Sequence, residues 1–463
     1  MRYVAVGIAA LLGLIFLSGA AVAQGFLFGA DLSFANEMDD CTAAYTDAGK
    51  PKNVFTIFRD HGTNLVRLRL WVNPDWTQYS TLNDVKRAIK RARDHGQKVL
   101  LDFHYSDDWA DPQKQIVPRL WAGIKDSDAL AATVYQYTFD TLTALDKDGL
   151  MPDQVQVGNE INSELMMDKP WAEGVEINWS RDAKLINAGI RAVRDAGNKS
   201  VIRPKVVLHV AQPENVEKWL VAATAAGVTD YDIIGFSYYT QWSTTSLDGV
   251  RGTINRLRHH YPQADVIVLE TAYPWTMSWG DSNSNVLSEK SLRPGYPATA
   301  AGQKKYMIDL TQAVIVGGGI GVIYWAPDWV STRCRTRWGQ GSNWENAAFF
   351  DLSHNALAAM DYPHAAYVYP VAVTFHFIGG AGQNFVLWAD FLGSRDIAVH
   401  LPNGEGKYDY TAMLMPGAAY RLQVFADATL KTRLIGGDKV QDGFYADRAP
   451  DQAGTIDIKL SAP

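Results

Sequence analysis

The sequence predicts a parallel (β/α)8 TIM barrel, an α/β fold, followed by a small C-terminal antiparallel β-domain that is sandwich-like. Three observations predict this fold class. Short apolar runs alternate with helical stretches from about residue 26 to 360, and there are eight such runs, the number that closes a barrel. After about residue 365, only short strand candidates and turns follow. A doubly wound open sheet is the alternative, but no G-x-G-x-x-G motif follows a strand candidate.

Each strand candidate is an apolar run that ends in polar or aromatic residues. The clearest helix, Leu82–His95, carries apolar residues on one face and basic residues on the other. Thr81 and Asp84 resemble a capping box at its start, and Gly96 is suited to its end. The other predicted helices are Asp128–Asp148, Arg181–Ala196, Asn215–Ala226, Ser246–His260 and Ala298–Val316. The predicted strands are Phe26–Phe34, Leu65–Trp71, Lys98–Tyr105, Gln154–Glu160, Lys205–Ala211, Asp232–Tyr239, Asp265–Tyr273 and Gly321–Pro327.

The N-terminus has the features of a bacterial-type signal peptide. Arg2 precedes an apolar run from Val4 to Leu17, which is too short to span a membrane, and Ala21-Val22-Ala23 is a small-residue cleavage site. We therefore expect residues 1–23 to be removed after Ala23, and the protein to be periplasmic or secreted. The barrel is then predicted over residues 24–365 and the β-domain over 366–463. This β-domain could bind carbohydrate or only pack against the barrel, and the sequence does not decide between these roles.

The composition is that of an ordinary globular chain, with 463 residues and a formal charge of −7. A mildly acidic protein is a poor electrostatic partner for nucleic acid or anionic lipid. We therefore expect a neutral substrate, no nucleic-acid partner and no membrane association after signal cleavage. We also expect a monomer. The 15 Trp and 21 Tyr residues are consistent with a sugar-binding surface, although large cores also use such residues.

The two cysteines are far apart in the chain but close in the predicted topology. Cys41 follows strand one and Cys334 follows strand eight, and barrel closure makes these two strands neighbours. An exported protein meets an oxidising compartment, in which disulfides persist. We therefore predict a Cys41–Cys334 disulfide that ties the first and last loops of the catalytic face together.

Two glutamates stand where functional groups of (β/α)8 barrels lie, at the C-terminal ends of strands. Strand four ends in Gly158-Asn159-Glu160, and strand seven ends in Leu269-Glu270. One such Glu is usually a surface or salt-bridge residue, but a pair of carboxyl groups across one barrel mouth is what glycoside hydrolysis requires. One must remain protonated and the other ionised. Asn159 could bind the sugar hydroxyl beside the reacting carbon.

Other strand ends also carry candidates for the site. Arg67 and Arg69 on strand two share the parity of Trp71, and an inward-facing arginine could keep the nucleophilic glutamate ionised. His104 is expected to contact substrate, whereas His209 is equally consistent with a buried supporting role. Five tryptophans near strand ends could line a sugar-stacking cleft: Trp71, Trp109, Trp242, Trp275 and Trp325.

The motifs at these strand ends carry a family resemblance: the chain resembles glycoside hydrolase family 53, the endo-β-1,4-galactanases, over nearly all of residues 26–355. The most specific stretches are Leu101-Asp-Phe-His-Tyr-Ser-Asp-Asp-Trp109 and Glu270-Thr-Ala-Tyr-Pro-Trp275, whereas Gly158-Asn-Glu160 occurs in many barrel glycosidases. The remaining matches are Gly29-Ala-Asp31, Glu37-Met38, Leu65-Val-Arg-Leu-Arg-Leu-Trp-Val-Asn-Pro74, Leu208-His209, Ile234-Gly-Phe-Ser-Tyr-Tyr239 and Ser342-Asn-Trp-Glu-Asn346.

The resemblance implies a retaining hydrolase that cuts within β-1,4-galactan, a neutral side chain of pectin, and that requires no cofactor. It implies double displacement, with Glu160 as acid/base and Glu270 as nucleophile. Retention predicts that their carboxyl groups lie about 5–5.5 Å apart. The predicted substrate-binding residues are Arg67, Arg69, His104, Asp107, Trp109, Asn159, Tyr238, Tyr239, Trp275 and Trp325.

The chain departs from the family pattern at two strand ends. Strand six reads Tyr238-Tyr-Thr-Gln-Trp242 where members commonly have Tyr-Tyr-Pro-Tyr/Phe-Trp, and strand eight reads Trp325-Ala-Pro-Asp-Trp329 where Trp-Glu-Pro-Ala-Trp is common. These changes put the glycan preference in question. Three arginines in the loop after strand eight could accommodate acidic pectin sugars or form a solvated loop: Arg333, Arg335 and Arg337.

The sequence also allows a calcium site and two alternative functions. Some bacterial relatives hold a structural Ca²⁺ near strands seven and eight, and Asp281, Asn283 and Asn285 have the alternate spacing of oxygen ligands. A plain polar turn is the alternative.

The rival functions are another barrel endoglycanase, such as a mannanase or an arabinogalactan-trimming enzyme, and a glycan-binding protein with a vestigial site.

Overall fold

The predicted barrel is confirmed in a computed structural model that describes residues 25–172, 174–337, 339–378 and the C-terminal stretches 385–391, 394–401, 407–417, 419–425, 440–441, 444–448 and 450–459. The predicted signal peptide lies outside the described residues. Eight parallel strands pair in chain order, and the last pairs with the first to close the barrel. They are β1 Leu27–Asp31, β2 Leu65–Leu70, β3 Lys98–Phe103, β4 Gln154–Val157, β5 Lys205–Ala211, β6 Ile233–Ser237, β7 Asp265–Thr271 and β8 Gly321–Trp325.

Helices surround the barrel, and all six predicted helices are present with ends that agree within two residues. Thr81 caps α3 by accepting from the Asp84 N–H, and the Asp84 carboxylate accepts from the Ser80 N–H. Gly96 ends the turn after α3 with a φ of +72°. The sequence did not predict α1 and α2, which both lie between β1 and β2. The helices are α1 Ala35–Asp40, α2 Val54–Asp60, α3 Leu82–Asp94, α4 Ser127–Lys147, α5 Trp179–Gly197, α6 Pro213–Ala225, α7 Leu247–His260 and α8 Ala300–Val316.

The side chains that face the barrel interior form two layers, as alternation along the strands requires. The apolar layer lies toward the N-terminal ends of the strands and comprises Leu27, Leu65, Leu100, Val207, Ile233, Ile267, Leu269 and Ile323. The polar layer lies above it, with one buried residue from each of the first seven strands: Asp31, Arg67, Asp102, Gln156, His209, Ser237 and Glu270.

An irregularity in β7 places Glu270 in the polar layer. Phe236 pairs with Val268 but Ser237 pairs with Glu270, so the register shifts by one residue. Leu269 also points inward, above Gly235, where an added Cβ would lie 2.1 Å from the Leu269 Cδ1. Strict alternation would turn Glu270 outward if Leu269 faces inward, so the shift is what lets both residues face the interior.

The predicted Cys41–Cys334 disulfide is present, with Cα atoms 5.6 Å apart. Cys41 ends α1, and Cys334 directly precedes a small hairpin that pairs Arg335–Thr336 with Gly339–Gln340. The bond therefore ties the first and last loops of the catalytic face, as the topology predicted.

The C-terminal part contains two sheets with eight strands in the described residues. The strands are β9 Val371–Ile378, β10 Phe385–Phe391, β11 Ser394–Leu401, β12 Lys407–Leu414, β13 Ala419–Phe425, β14 Val440–Gln441, β15 Phe444–Arg448 and β16 Gly454–Lys459. The sheet orders are β12-β9-β16 and β11-β10-β13-β15-β14. Phe375 and Tyr420, from different sheets, pack with ring centroids 5.4 Å apart, as in a sandwich. One correction applies, because β9 and β16 pair in parallel.

The boundary predicted between residues 365 and 366 stays a prediction. The 3₁₀ segment Ala358–His364 packs against α8, and Gln312 of α8 exchanges two hydrogen bonds with the backbone of Val368. Among the described residues, no helix combines the length and apolarity needed to cross a membrane.

Candidate active site

The sequence predicted that Glu160 ends the fourth strand, but it lies on a tight turn that follows β4. The strand ends at Val157, and the chain then turns through Gly158 with a φ of +85° and Glu160 with a φ of +45°. A left-handed conformation is uncommon for a residue with a Cβ, and such residues cluster at functional sites. The Ile161 N–H donates to the His209 carbonyl at 2.8 Å and fixes the turn. Glu160 is partly buried and retains access to the barrel mouth.

Glu270 is held by one cation and one hydroxyl group. Its Oε1 lies 2.7 Å from Arg67 Nη1, and its Oε2 accepts from the Tyr239 hydroxyl at 2.9 Å. The side chain is 6% exposed, so both interactions operate away from bulk water. This carboxyl group is therefore stabilised in its ionised form.

Arg67 joins the polar layer together, and its guanidinium group contacts acceptors from five residues. Nη1 also donates to Asp31, while Nη2 donates to Asp102 and Asn159, at 2.7–2.8 Å. Nε donates to Gln156 at 3.1 Å. A buried guanidinium requires such partners, because an unpaired charge in the interior is costly.

The two carboxyl groups differ in how strongly nearby groups oppose the rise in pKa that burial causes. Burial raises the pKa of Glu160 to about 8, and the charge of nearby Glu270 adds to the rise. Burial raises the pKa of Glu270 to about 7, and Arg67 opposes that rise. Because Arg67 and Tyr239 stabilise the Glu270 carboxylate, Glu270 gives up its proton before Glu160 does. The site thus favours an ionised Glu270 beside a protonated Glu160.

A line of aromatic rings crosses the mouth beside this pair, with 4.6–6.0 Å between successive ring centroids. Trp242, at one end, is 54% exposed, whereas Trp71 is buried and fills the core. Trp109 and Trp325 are partly exposed near the middle and could stack on a sugar. In order, the rings are Trp76, Trp71, Trp109, Trp325, Trp344, Tyr239 and Trp242.

Three predicted residues support the site from one side of the mouth. Arg69 does not contact Glu270; its guanidinium lies 4.0–4.8 Å from the ring centroids of Phe34, Trp71 and Trp109. Asn159 donates to the Ala110 carbonyl at 2.8 Å. His104 Nε2 lies 3.0 Å from Asp102, and its Nδ1 accepts from the Ala110 N–H.

Three other predicted residues are engaged outside the carboxyl pair. The Tyr238 hydroxyl donates to the Thr245 carbonyl at 2.6 Å, which leaves Tyr239 as the tyrosine that contacts Glu270. The Asp107 carboxylate accepts from the backbone N–H groups of Asn73 and Arg119. The Trp275 indole donates to the Glu345 carbonyl at 3.0 Å.

The positions that depart from the family pattern, after strands six and eight, lie in loops at the rim of the barrel mouth. The side-chain oxygen of Gln241 accepts from the hydroxyl groups of Ser288 and Ser291, and the buried Thr240 hydroxyl donates to the Ser291 carbonyl. These residues tie the loop after β6 to the loop after β7. Ala326 is fully buried with a φ of +48°. The altered positions therefore shape loops rather than present new groups to a substrate.

The arginine-rich loop contacts the opposite side of the mouth. Arg337 forms an ion pair of 2.6 Å with Asp108, and its guanidinium lies 5.0 Å from the Trp76 ring centroid. Arg333 and Arg335 are exposed. The hypothesis that this loop accepts acidic sugars stays a prediction.

The residues predicted to bind calcium form a hydrogen-bonded loop. Asp281 accepts from the Asn283 N–H, the Ser342 N–H and the Ser331 hydroxyl. Asn285 lies close to the Glu345 carboxylate. Among the described residues, no group of three or more His, Cys, Asp or Glu could hold a metal ion. The Asp281 carboxylate already serves as an acceptor for protein donors, and the calcium site stays a prediction.

Several members of the site escaped prediction as site residues although the sequence displays them. Asp31 and Asp102 stand within the matched motifs, but the sequence does not single them out as site residues or place Trp344 beside Trp325. A buried supporting role is one of the two interpretations that the sequence allows for His209, and its side chain is buried. Ser237 precedes the two tyrosines, and its hydroxyl donates to Glu160 at 2.5 Å. Their common signal is inward parity near a strand end, which identifies a position without naming its partner.

Comparison with known proteins agrees with this geometry. The family model described as "Glycosyl hydrolase family 53" matches residues 27–362. An arabinogalactan endo-beta-1,4-galactanase of Cellvibrio japonicus is 50% identical over 362 residues, covering 78% of this chain and 96% of the relative. An endo-beta-1,4-galactanase of Bacillus subtilis is 34% identical, covering 68% of this chain and 72% of the relative.

Solved structures give the same result for the barrel. The GH53 catalytic domain of Ignisphaera aggregans superposes with a TM-score of 0.67 at 31% identity, covering 74% of this chain and 96% of that one. A fungal β-1,4-galactanase superposes with a TM-score of 0.63 at 25% identity, covering 74% of this chain and all of that one. The chain therefore belongs to glycosyl hydrolase family 53.

Proposed function

We propose that this protein is an exported, retaining endo-β-1,4-galactanase that hydrolyses the galactan or arabinogalactan side chains of pectin. The observation that carries the proposal is the pair of carboxyl groups at the barrel mouth, of which Glu270 alone has a cationic partner. That asymmetry supplies an ionised nucleophile and a protonated acid, which double displacement requires. The half-identical Cellvibrio protein, by its name, acts on arabinogalactan, and this supports the choice of substrate.

In the first step, a Glu270 oxygen attacks the anomeric carbon while Glu160 protonates the departing glycosidic oxygen. The carbon–oxygen bond breaks, its electron pair stays with the leaving sugar, and a galactosyl ester of Glu270 forms. In the second step, Glu160 takes a proton from water as the water oxygen attacks the same carbon. The ester bond breaks and returns its electron pair to the Glu270 carboxylate. The two carboxyl groups carry both steps, so no cofactor enters the scheme.

The surroundings of the pair suit this chemistry. The Tyr239 hydroxyl and Arg67 orient the nucleophile, and Asn159 stands next to Glu160 with its side chain fixed by Arg67. Trp109, Trp325 and Trp242 offer ring faces along an open mouth, as binding of a long polysaccharide requires. The proposal includes export, action as a monomer, and a separate β-domain after residue 365.

The test is a reducing-sugar assay of the purified mature chain on linear β-1,4-galactan, with arabinan, mannan, xylan and polygalacturonan in parallel. We expect short oligosaccharides from galactan, and the β-anomer as first product by NMR. Glu270→Gln should lower the rate at least ~10⁴-fold, because it removes the nucleophile. The matched control is Glu217→Gln, which breaks only a surface ion pair with Arg256.

Full activity of Glu270→Gln would overturn the site assignment. Activity on mannan or xylan alone would assign a different endoglycanase specificity. Binding of galactan without cleavage by the wild-type chain would support the glycan-binding alternative instead.

A further inference from the structure

His209 lies behind the acid/base carboxyl group, and the scheme above gives it no role. It is fully buried on β5, and its Nε2 lies 2.9 Å from the Ser237 Oγ on β6. The Ser237 hydroxyl is also buried and donates to Glu160 Oε1 at 2.5 Å. These contacts form a continuous line of hydrogen bonds from His209 through Ser237 to Glu160.

The direction of this line follows from the donors around the imidazole. Nδ1 of His209 lies 3.0 Å from the amide nitrogen of Gln156 and 3.3 Å from the backbone N–H of Glu160, and both groups can only donate. Burial lowers the pKa of His209 well below its ordinary value, so the ring is neutral. A neutral ring that accepts at Nδ1 carries its hydrogen on Nε2.

The nearby oxygen of Asn159 does not change this assignment. It lies 3.0 Å from the His209 Nδ1, but it accepts from Arg67 at 2.7 Å and from Gln156 at 3.1 Å. The imidazole therefore donates from Nε2 to the Ser237 oxygen. The hydroxyl hydrogen of Ser237 is then directed at Glu160, because the histidine occupies the other side of the oxygen.

The two oxygens of Glu160 consequently differ. Oε1 accepts from Ser237, whereas Oε2 has no hydrogen-bond partner within the described part of the chain. A carboxyl group whose Oε1 is occupied by a donor carries its own hydrogen on Oε2. That hydrogen is the one that the first step delivers and the second step recovers.

We propose that His209, acting through Ser237, reserves Oε1 of Glu160 as an acceptor and so keeps the transferable proton on Oε2 in both steps. This inference rests on the proposed function and deepens it. His209 and Ser237 are positioning residues, because neither touches the substrate in this scheme. In the first step, the Oε2 proton passes to the glycosidic oxygen. In the second, Oε2 takes a proton from the attacking water, and Ser237 donates to Oε1 throughout.

The test uses Ser237→Ala in the full mature chain, with Ser237→Thr as the matched control that keeps a hydroxyl group. On galactan, we expect kcat of Ser237→Ala to fall about 10–100-fold, the effect of losing a hydrogen bond to a charged group, with KM within about twofold. Ser237→Thr should restore most of the loss. Thermal unfolding of each variant checks that the fold is intact.

A rescue experiment separates positioning of Glu160 from general damage to the site. A dinitrophenyl β-1,4-galactobioside needs no acid for departure, and azide attacks the galactosyl ester without a base. With both present, azide takes the galactobiosyl group from its ester with Glu270, so Ser237→Ala should approach the wild-type rate and yield the β-galactobiosyl azide. Glu160→Gln should behave the same way, because it loses the same acid/base function.

The outcomes distinguish the two proposals. If Glu160→Gln hydrolyses galactan normally, or is not rescued by azide, the proposed function fails in its acid/base assignment. If Glu160→Gln is rescued but Ser237→Ala has wild-type kcat, the positioning role is overturned. The same holds if Ser237→Ala is slow and azide does not restore it, because a general distortion would slow every substrate.

Discussion

The apolar layer and the polar layer of the barrel interior share six of the eight strands, yet they hold side chains of opposite kind. Both are buried. The apolar layer needs only matched volume, and its members contact one another without directional bonds. The polar layer needs directional partners for its charged groups, as the five acceptors around Arg67 illustrate. The layers thus separate the stability of the barrel from its chemistry.

The difference teaches where substitutions should be tolerated. A cavity in the apolar layer costs stability in proportion to its volume, and it leaves the charges above it in place. A lost partner in the polar layer leaves a buried charge uncompensated, even when the volume is unchanged. Variants of the two layers should therefore differ in which property they alter.

The largest effect is expected for Arg67→Lys in the polar layer. Lysine presents one ammonium group and cannot reach the acceptors that the guanidinium group now joins. We expect kcat/KM on galactan to fall about 10³-fold, because a single ammonium group cannot hold the Glu270 carboxylate in place and also satisfy the other acceptors of the guanidinium group. Steady-state kinetics on galactan measure this loss.

Stability should fall in the same variant. Breaking a buried charge pair costs about 3–5 kcal/mol, and the retained positive charge of lysine reduces this to roughly 2–3 kcal/mol. Urea unfolding measures it. Activity within threefold of wild type would contradict the central place given to Arg67.

A second prediction compares neighbouring inward positions on β3. Leu100→Ala in the apolar layer should lower the free energy of unfolding by about 2–5 kcal/mol and change kcat less than twofold. Asp102→Asn, one inward position above, should cost less stability but lower kcat about tenfold or more. The asparagine oxygen could still accept from Arg67 and His104, which both contact Oδ2 of Asp102, but the negative charge that balances the buried Arg67 would be lost. Unfolding curves and galactan kinetics on both variants check this.

The comparison would fail if Leu100→Ala lost activity as strongly as Asp102→Asn. Such a result would mean that the apolar layer transmits its packing to the carboxyl groups. The layers would then act as one unit rather than two.

Much of this division could be predicted from the sequence. The strands, the barrel and the disulfide followed from counting apolar runs and closing the sheet. The two glutamates followed from their positions at strand ends. Alternation also placed Arg67 on the inner face, because neighbouring residues on a strand point to opposite sides.

The rest depends on distances that no pattern encodes. The alternation of side chains along the strand could not show which arginine contacts Glu270. Arg67 and Arg69 lie on the same face two residues apart, but Arg67 pairs with Glu270 and Arg69 packs on Trp109. The register shift at Glu270 and the left-handed turn at Glu160 depend on pairing with neighbouring strands. Tyr238 and Tyr239 are adjacent, and only the direction of the chain after β6 decides which one reaches Glu270. Tertiary geometry chose among candidates that local sequence made equivalent.

The smallest expected effect concerns the pH dependence of stability in the polar layer. Folding raises the pKa of Glu160 from 4.5 to about 8, chiefly by burial. Between these values, the folded protein holds a proton that the unfolded chain has lost. The free energy of unfolding therefore decreases as pH rises, by up to ~1.4 kcal/mol per pH unit for one proton. Partial exposure of Glu160 reduces this to about 1 kcal/mol per unit.

Glu160→Gln should remove that slope, because glutamine does not titrate. Urea unfolding at pH 5.5, 6.5 and 7.5 should give lines for wild type and variant that diverge, with the inactive variant gaining about 2 kcal/mol relative to wild type across this range. Glu217→Gln, on the surface, should run parallel to wild type. Parallel lines for Glu160→Gln would mean that the carboxyl group ionises in the fold as easily as in the unfolded chain. Divergence would instead show that burial of the Glu160 carboxyl group costs the barrel stability at neutral pH, a cost that the apolar layer below it must offset.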